Sequence, residues 1–160
     1  MIKYNLEMRN ILKNNKQIFN KNKKIDNFCK EILNKTNLVH GCILYNIDKK
    51  EEKKLDFSYL LTTFGDLSYF EWYNNEILIP EEIVSDDKIL EFFIKIKRGL
   101  NLKLKGKKIC IVLDFNNNVR LLRFHIYREI DNLIIHHTDI NSSETSFPGN
   151  AILLYIQGGC

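Results

Sequence analysis

Glu71, Arg123 and His125 are the residue types from which an acid–base catalyst can be assembled. Glu71 lies in "LSYFEWYNNEILIP" (67–80) and the other two in "VRLLRFHIYREI" (119–130). Both segments read as strands, and a Glu base with His and Arg on neighbouring strands is how a small cytoplasmic ribonuclease or toxin-type enzyme would be built. No local motif singles the three out, and a half-exposed strand face commonly carries such residues. The remaining histidines are His40, His136 and His137. His40 and Cys42, two apart, would share a strand face, whereas adjacent His136 and His137 would point to opposite faces. None of Cys29, Cys42, Cys110 and Cys160 sits in a C-x-x-C pair, so zinc or dithiol chemistry has no local support. The first three fall inside apolar patterns, as reduced, structural thiols do. There is no G-x-S-x-G elbow, and the seven glycines are too scattered for a phosphate loop. The reading assigns no catalytic residue, no metal and no cofactor.

The elements that would position these side chains follow from periodicity. Ile25, Phe28, Cys29, Ile32 and Leu33 form one apolar stripe at helical spacing. Met8, Ile11, Leu12, Ile18 and Phe19 keep a similar rhythm, so residues 1–37 are expected to be helical, with an Asn-rich join near 14–24. From Leu38 the period shortens. "LVHGCILYNI" reads as a strand and "DKKEEKK" (48–54) as a charged turn. "LDFSYLLTTF" alternates as a half-buried strand would, and Gly65-Asp66 makes a turn into the aromatic segment. Pro80 closes that segment. A helix over about 83–98 follows, with Ser85 as N-cap and Gly99 as its stop. "KKICIVLDF", "NNN" and "VRLLRFHIYREI" make a hairpin with asparagines at its turn. "LIIHHTDI" is a further strand, 141–150 a loop and "AILLYIQ" a last strand. The expected fold is α+β: N-terminal helices and one central helix packed on a mostly antiparallel meander sheet, in one domain.

Composition narrows the class of function. With 44% apolar and 28% charged residues over 160 positions, the chain suits a folded globular domain. No apolar run reaches the 18 to 20 or so residues that span a bilayer, and the first residues lack a secretory signal pattern. A cytoplasmic protein with no membrane partner is expected. Residues 1–54 hold 13 Lys and Arg against 6 Asp and Glu, a net +7, and residues 55–160 hold 11 against 14, a net −3. The basic part is also rich in asparagine and reads as a solvated surface. Between Phe64 and Val84 there are five carboxylates and no Lys or Arg, so the aromatic segment would repel a phosphate backbone. A nucleic-acid partner is not expected.

Period 2 divides the aromatic segment into two faces. Phe70 and Trp72 are the better core candidates, which leaves Tyr69, Glu71 and Tyr73 outward. In the later hairpin, Leu122, Phe124 and Ile126 make an apolar face opposite Arg123, His125 and Tyr127. Tyrosine and arginine dominate protein–protein hot spots. The six residues Tyr69, Glu71, Tyr73, Arg123, His125 and Tyr127 are therefore the candidate partner-binding surface.

The order of helix, meander, acidic helix and Asn-turn hairpin resembles small immunity proteins of bacterial polymorphic-toxin and contact-dependent inhibition systems. The matching segments are "LSYFEWYNNEILIPEEI", "DDKILEFFIKIKRGL" and "KKICIVLDFNNNVRLLRFHIY", roughly residues 67–127. The likeness is one of architecture and assigns no residue roles. It implies a non-enzymatic inhibitor that binds one cognate toxin domain. Inhibitors of cationic nucleases are usually acidic, and the net charge of +4 departs from that pattern.

Overall fold

A computed structural model describes residues 2–13, 22–116, 119–131 and 150–157. The strand expected over 133–140, the following loop, His136, His137, Cys160, Ile18 and Phe19 lie outside the described residues. The architecture is α+β, with an antiparallel five-stranded sheet and a separate two-stranded one. The elements are β1 (Ile2–Tyr4), α1 (Leu6–Leu12), α2 (Lys23–Lys35), β2 (Thr36–Val39), β3 (Cys42–Tyr45), α3 (Lys49–Glu52), α4 (Phe57–Phe64), α5 (Leu67–Asn74) and β4 (Ile77–Leu78). A 3-10 turn (Asp86–Lys88) then leads into α6 (Ile89–Lys103), β5 (Ile109–Asn116), β6 (Val119–Ile126) and β7 (Ala151–Ile156).

The large sheet runs β1-β7-β5-β6-β4. Among the described strands β5 and β6 are its sequence-consecutive pair, and β7 lies on the other side of β5 from β6. One sheet face carries Ile109, Ile111, Leu113, Leu122, Phe124 and Leu153, and the apolar stripes of α1, α2 and α6 pack onto it. Met8 and Ile25, Cys29 and Ile32 are the buried positions of α1 and α2, as helical periodicity predicts. Asn22 caps α2 by accepting from the backbone N–H of Lys24 and Ile25.

The helix after Pro80 begins later than expected and continues past Gly99 to Lys103. Ser85 makes no capping bond to the backbone; its hydroxyl goes to Asp87 instead. Gly99 does not end the helix because it serves packing. A Cβ there would lie 2.3 Å from Leu33 Cδ1, so glycine lets α6 approach α2 closely.

Three further expectations are overturned between residues 38 and 74, and each for a local reason. His40 and Gly41 both take positive φ, at 47° and 85°. They form a two-residue turn that splits the expected single strand into the β2–β3 hairpin. His40 thus shares no strand face with Cys42 and instead lies edge-on to Phe57. The "charged turn" contains α3, closed by a reciprocal capping box between Asp48 and Glu51. The two expected strands after it are helices α4 and α5. Asp56 caps α4, Gly65 at φ 79° ends it, and Asp66 caps α5 by accepting from Tyr69 N–H at 2.8 Å.

Candidate functional site

Helix α5 replaces the two faces of a strand with faces about 100° apart per residue, and this rearranges the candidate surface. Trp72 and Tyr69, one turn apart, pack toward the second face of the large sheet, against Cys110, Val112, Ile152 and Leu154. Phe70 turns the other way, into a cluster with Val39, Cys42, Leu44 and Leu60 of the hairpin and α4. Both rings are buried, as expected, but in different clusters. Tyr73 stays 63% exposed, with its ring 6.1 Å from that of Phe64.

The β5–β6 register sets Arg123 opposite Val112 and His125 opposite Cys110, with Leu122, Phe124 and Ile126 on the other face, as alternation predicts. Arg123 and His125 do not face solvent beside tyrosines. The guanidinium of Arg123 lies 5.0 Å from the Trp72 ring centroid and bonds Glu76 at 2.5 Å and Asp114 at 3.2 Å. His125 is fully buried, edge-on to Trp72. Its Nδ1 lies 2.9 Å from the carbonyl of Ile126, which puts a proton on that nitrogen. Tyr127 is half-buried in the Trp72 cluster. Four of the six expected residues, Tyr69, Arg123, His125 and Tyr127, thus gather around Trp72, the ring assigned to the core.

Glu71 departs most from expectation. It was expected outward and is 0% exposed. Its carboxylate accepts from Ile43 N–H at 2.5 Å, from Ile126 N–H at 3.3 Å and from Arg128 at 2.5 Å. Burial raises this carboxyl, Arg128 and the two backbone N–H groups draw it part of the way back, and it comes to rest at about 7. Arg128 also donates to the Gly41 carbonyl and faces Asp131 at 3.7 Å. Asp131 in turn accepts from the Ser68 hydroxyl at 2.5 Å.

Asn75, one turn beyond Glu71, accepts from Tyr45 N–H and donates to the carbonyls of Ile43 and Phe124, all within 2.8 Å. Side chains of α5 therefore join β3 to β6 where strand pairing would otherwise run. Sequence reasoning missed Ser68, Asn75, Arg128 and Asp131. The readable signals were the three aspartates 48, 56 and 66, each three residues before a position that needs an N-terminal cap acceptor. They mark helices, and on a helix Glu71 and Asn75 fall on one face.

Beside this wedge opens a cleft of about 480 Å³. Phe70, Leu55 and Ile47 supply its apolar lining, and Tyr45 and Asn74 are among the polar groups. Glu51 and Glu76 bring two carboxylates, and no lining residue is cationic. The volume lies within the range of ligand clefts, roughly 300 to 1,000 Å³.

The buried thiols suit a structural role. Burial pushes Cys29 and Cys42 each up to about 12 and raises Cys110 as well, so none is a ready nucleophile. Among the described residues no group of His, Cys, Asp or Glu is arranged to hold a metal ion, and no helix is long and apolar enough to cross a membrane.

A family profile matches residues 3–148. The chain belongs to the Uncharacterized protein PM0498 family. No curated protein and no solved structure matches it. The stretch shared with the PM0498 family takes in α5, the cleft and β6.

Proposed function

We propose that this protein is a non-enzymatic, cytoplasmic protein-binding inhibitor of the immunity type, which neutralises one cognate bacterial toxin domain. The observation that carries the reading is the set of large side chains that α4 and α5 leave exposed, Tyr59, Leu61 and Tyr73. The same part of the chain contributes to a cleft that holds carboxylates and no cation. Exposed tyrosines offer stiff, amphipathic contact area, the quality found at binding hot spots. Enzymatic use of Glu71, Arg123 and His125 has little support, since each is held in contacts that build the fold: Glu71 by Ile43, Ile126 and Arg128, Arg123 by Asp114 and Glu76, and His125 beneath Trp72.

Growth tests the reading. The chain expressed alone should be harmless, and its gene should adjoin that of a toxin whose toxic domain it renders harmless on co-expression. Degradation of RNA or DNA by the purified chain, lost on His125→Ala, would refute it in favour of the ribonuclease alternative.

A further inference from the structure

We infer that the cleft between α3 and α5 receives an arginine side chain presented by the protein partner; this deepens the inhibitor reading and rests on it. The two carboxylates of the cleft each commit one oxygen to the fold. Glu51 Oε2 accepts from Asp48 N–H at 3.2 Å, and Glu76 Oε2 accepts from Arg123. The Oε1 atom of each is left as an acceptor for an incoming donor.

A ligand matched to this cleft must be cationic, must donate in more than one direction and must carry an apolar stem. Guanidinium meets all three conditions. Its planar fork can address two separated carboxylates at once, whereas an ammonium is a compact point charge with a tighter hydration shell. The Tyr45 and Phe70 rings among the lining residues suit a guanidinium plane and its methylene stem. The neighbouring cation, Arg123, is shared among Glu76 Oε2, Asp114 and the Trp72 ring, and so takes up one oxygen of Glu76 only.

The lining of the cleft holds Glu51 and Glu76 and no cation, while Lys49, Lys50, Lys53 and Lys54 flank Glu51 in sequence. The attraction offered to a guanidinium is therefore that of the two carboxylates at contact, not of a wider acidic field.

The test uses the full chain and N-acetyl-arginine methylamide as probe, read by amide NMR shifts. Saturable shifts are expected at Asn46, Ile47 and Asn74, absent with the citrulline analogue, which keeps the shape and loses the charge. Glu51→Gln keeps the capping acceptor of α3 and should weaken the probe about tenfold, the loss of one charge-assisted bond. Equal shifts from citrulline, or no shifts in the cleft, would overturn the inference. In the co-expression assay, Glu51→Lys should abolish rescue. Rescue intact in that variant overturns the arginine site and leaves the inhibitor reading standing. Failure of the unaltered chain to rescue overturns that reading, whatever the probe does.

Discussion

Glu71 and Asn75 sit one helical turn apart on α5 and reach the backbones of the same two strands, β3 and β6. Between them they occupy three backbone N–H groups and two carbonyls that lie away from solvent. Removing either leaves strong hydrogen-bonding groups buried and unpaired, which is costlier than the bond itself was worth.

Asn75→Ala should therefore destabilise the protein by about 3 kcal/mol or more, from three orphaned backbone groups at about 1 to 3 kcal/mol each. Amide exchange locates the effect. Protection at Tyr45 should fall before protection at Val112 in the sheet centre, and equal loss at both would refute a local role.

Glu71 carries a pH signature. Its folded value of about 7 lies above the ordinary 4.5, so the stability tied to its neutral form is fully present below about pH 4.5. That contribution is lost as pH rises through 7. Glu71→Gln does not titrate. The stability gap between the native chain and this variant, from urea melts, should shrink by about 2 to 3 kcal/mol between pH 5 and pH 8. A gap that widens with pH would mean that the ion pair with Arg128 outweighs burial.

Trp72 and Tyr73 are sequence neighbours with opposite roles. Trp72→Ala should cost about 3 to 5 kcal/mol, the usual range for a buried ring. Tyr73→Ala should shift stability by about 0.5 kcal/mol or less and weaken partner binding by about 2 kcal/mol if it is a hot spot. Tyr69→Ala, at a half-buried ring, should fall between the two in thermal melts. A Tyr73→Ala variant that melts as low as Trp72→Ala would contradict this division.

Gly99→Ala sets helix propensity against packing. Alanine gains roughly 0.5 to 1 kcal/mol in a helix interior, but overpacking against Leu33 costs about 1 to 3 kcal/mol. Net destabilisation is expected in the native background. With Leu33→Ala present, the same change should become stabilising, and a double-mutant cycle measures the coupling. Additive effects would show that the close approach of α6 to α2 carries no energy.

The parts of the fold legible in the sequence are those where one face of one element meets the core. The stripes of α1 and α2 and the alternation of β6 are of this kind, because a single period decides them. The 55–74 region was not legible. "LDFSYLLTTF" and "LSYFEWYN" are short, aromatic and apolar at both periods, so hydrophobicity alone does not choose between helix and strand. The capping aspartates and Gly65 decided it, through backbone N–H groups that only a helix start leaves unpaired. The candidate surface inherited that error. Strand geometry sets Trp72 and Glu71 on opposite faces 180° apart, whereas the helix carries Trp72 to Arg123 and His125 and drives Glu71 between β3 and β6. Asn75 and Arg128 were beyond sequence reading, since their partners are backbone atoms or lie tens of residues away.

The strand order β1-β7-β5-β6-β4 has a consequence for how the chain is made. Ile2 pairs with Tyr155, and some 150 residues of chain are made between the two. Among the described strands, β1 and one side of β5 wait for β7 as their partner. The hairpin of β5 and β6 can form with the helices before then, but β1 joins the sheet only once β7 has been made. Such long-range closure slows folding and leaves strand edges open to wrong pairings in the meantime. A nascent chain arrested before residue 151 should therefore engage chaperones far more than the finished protein does.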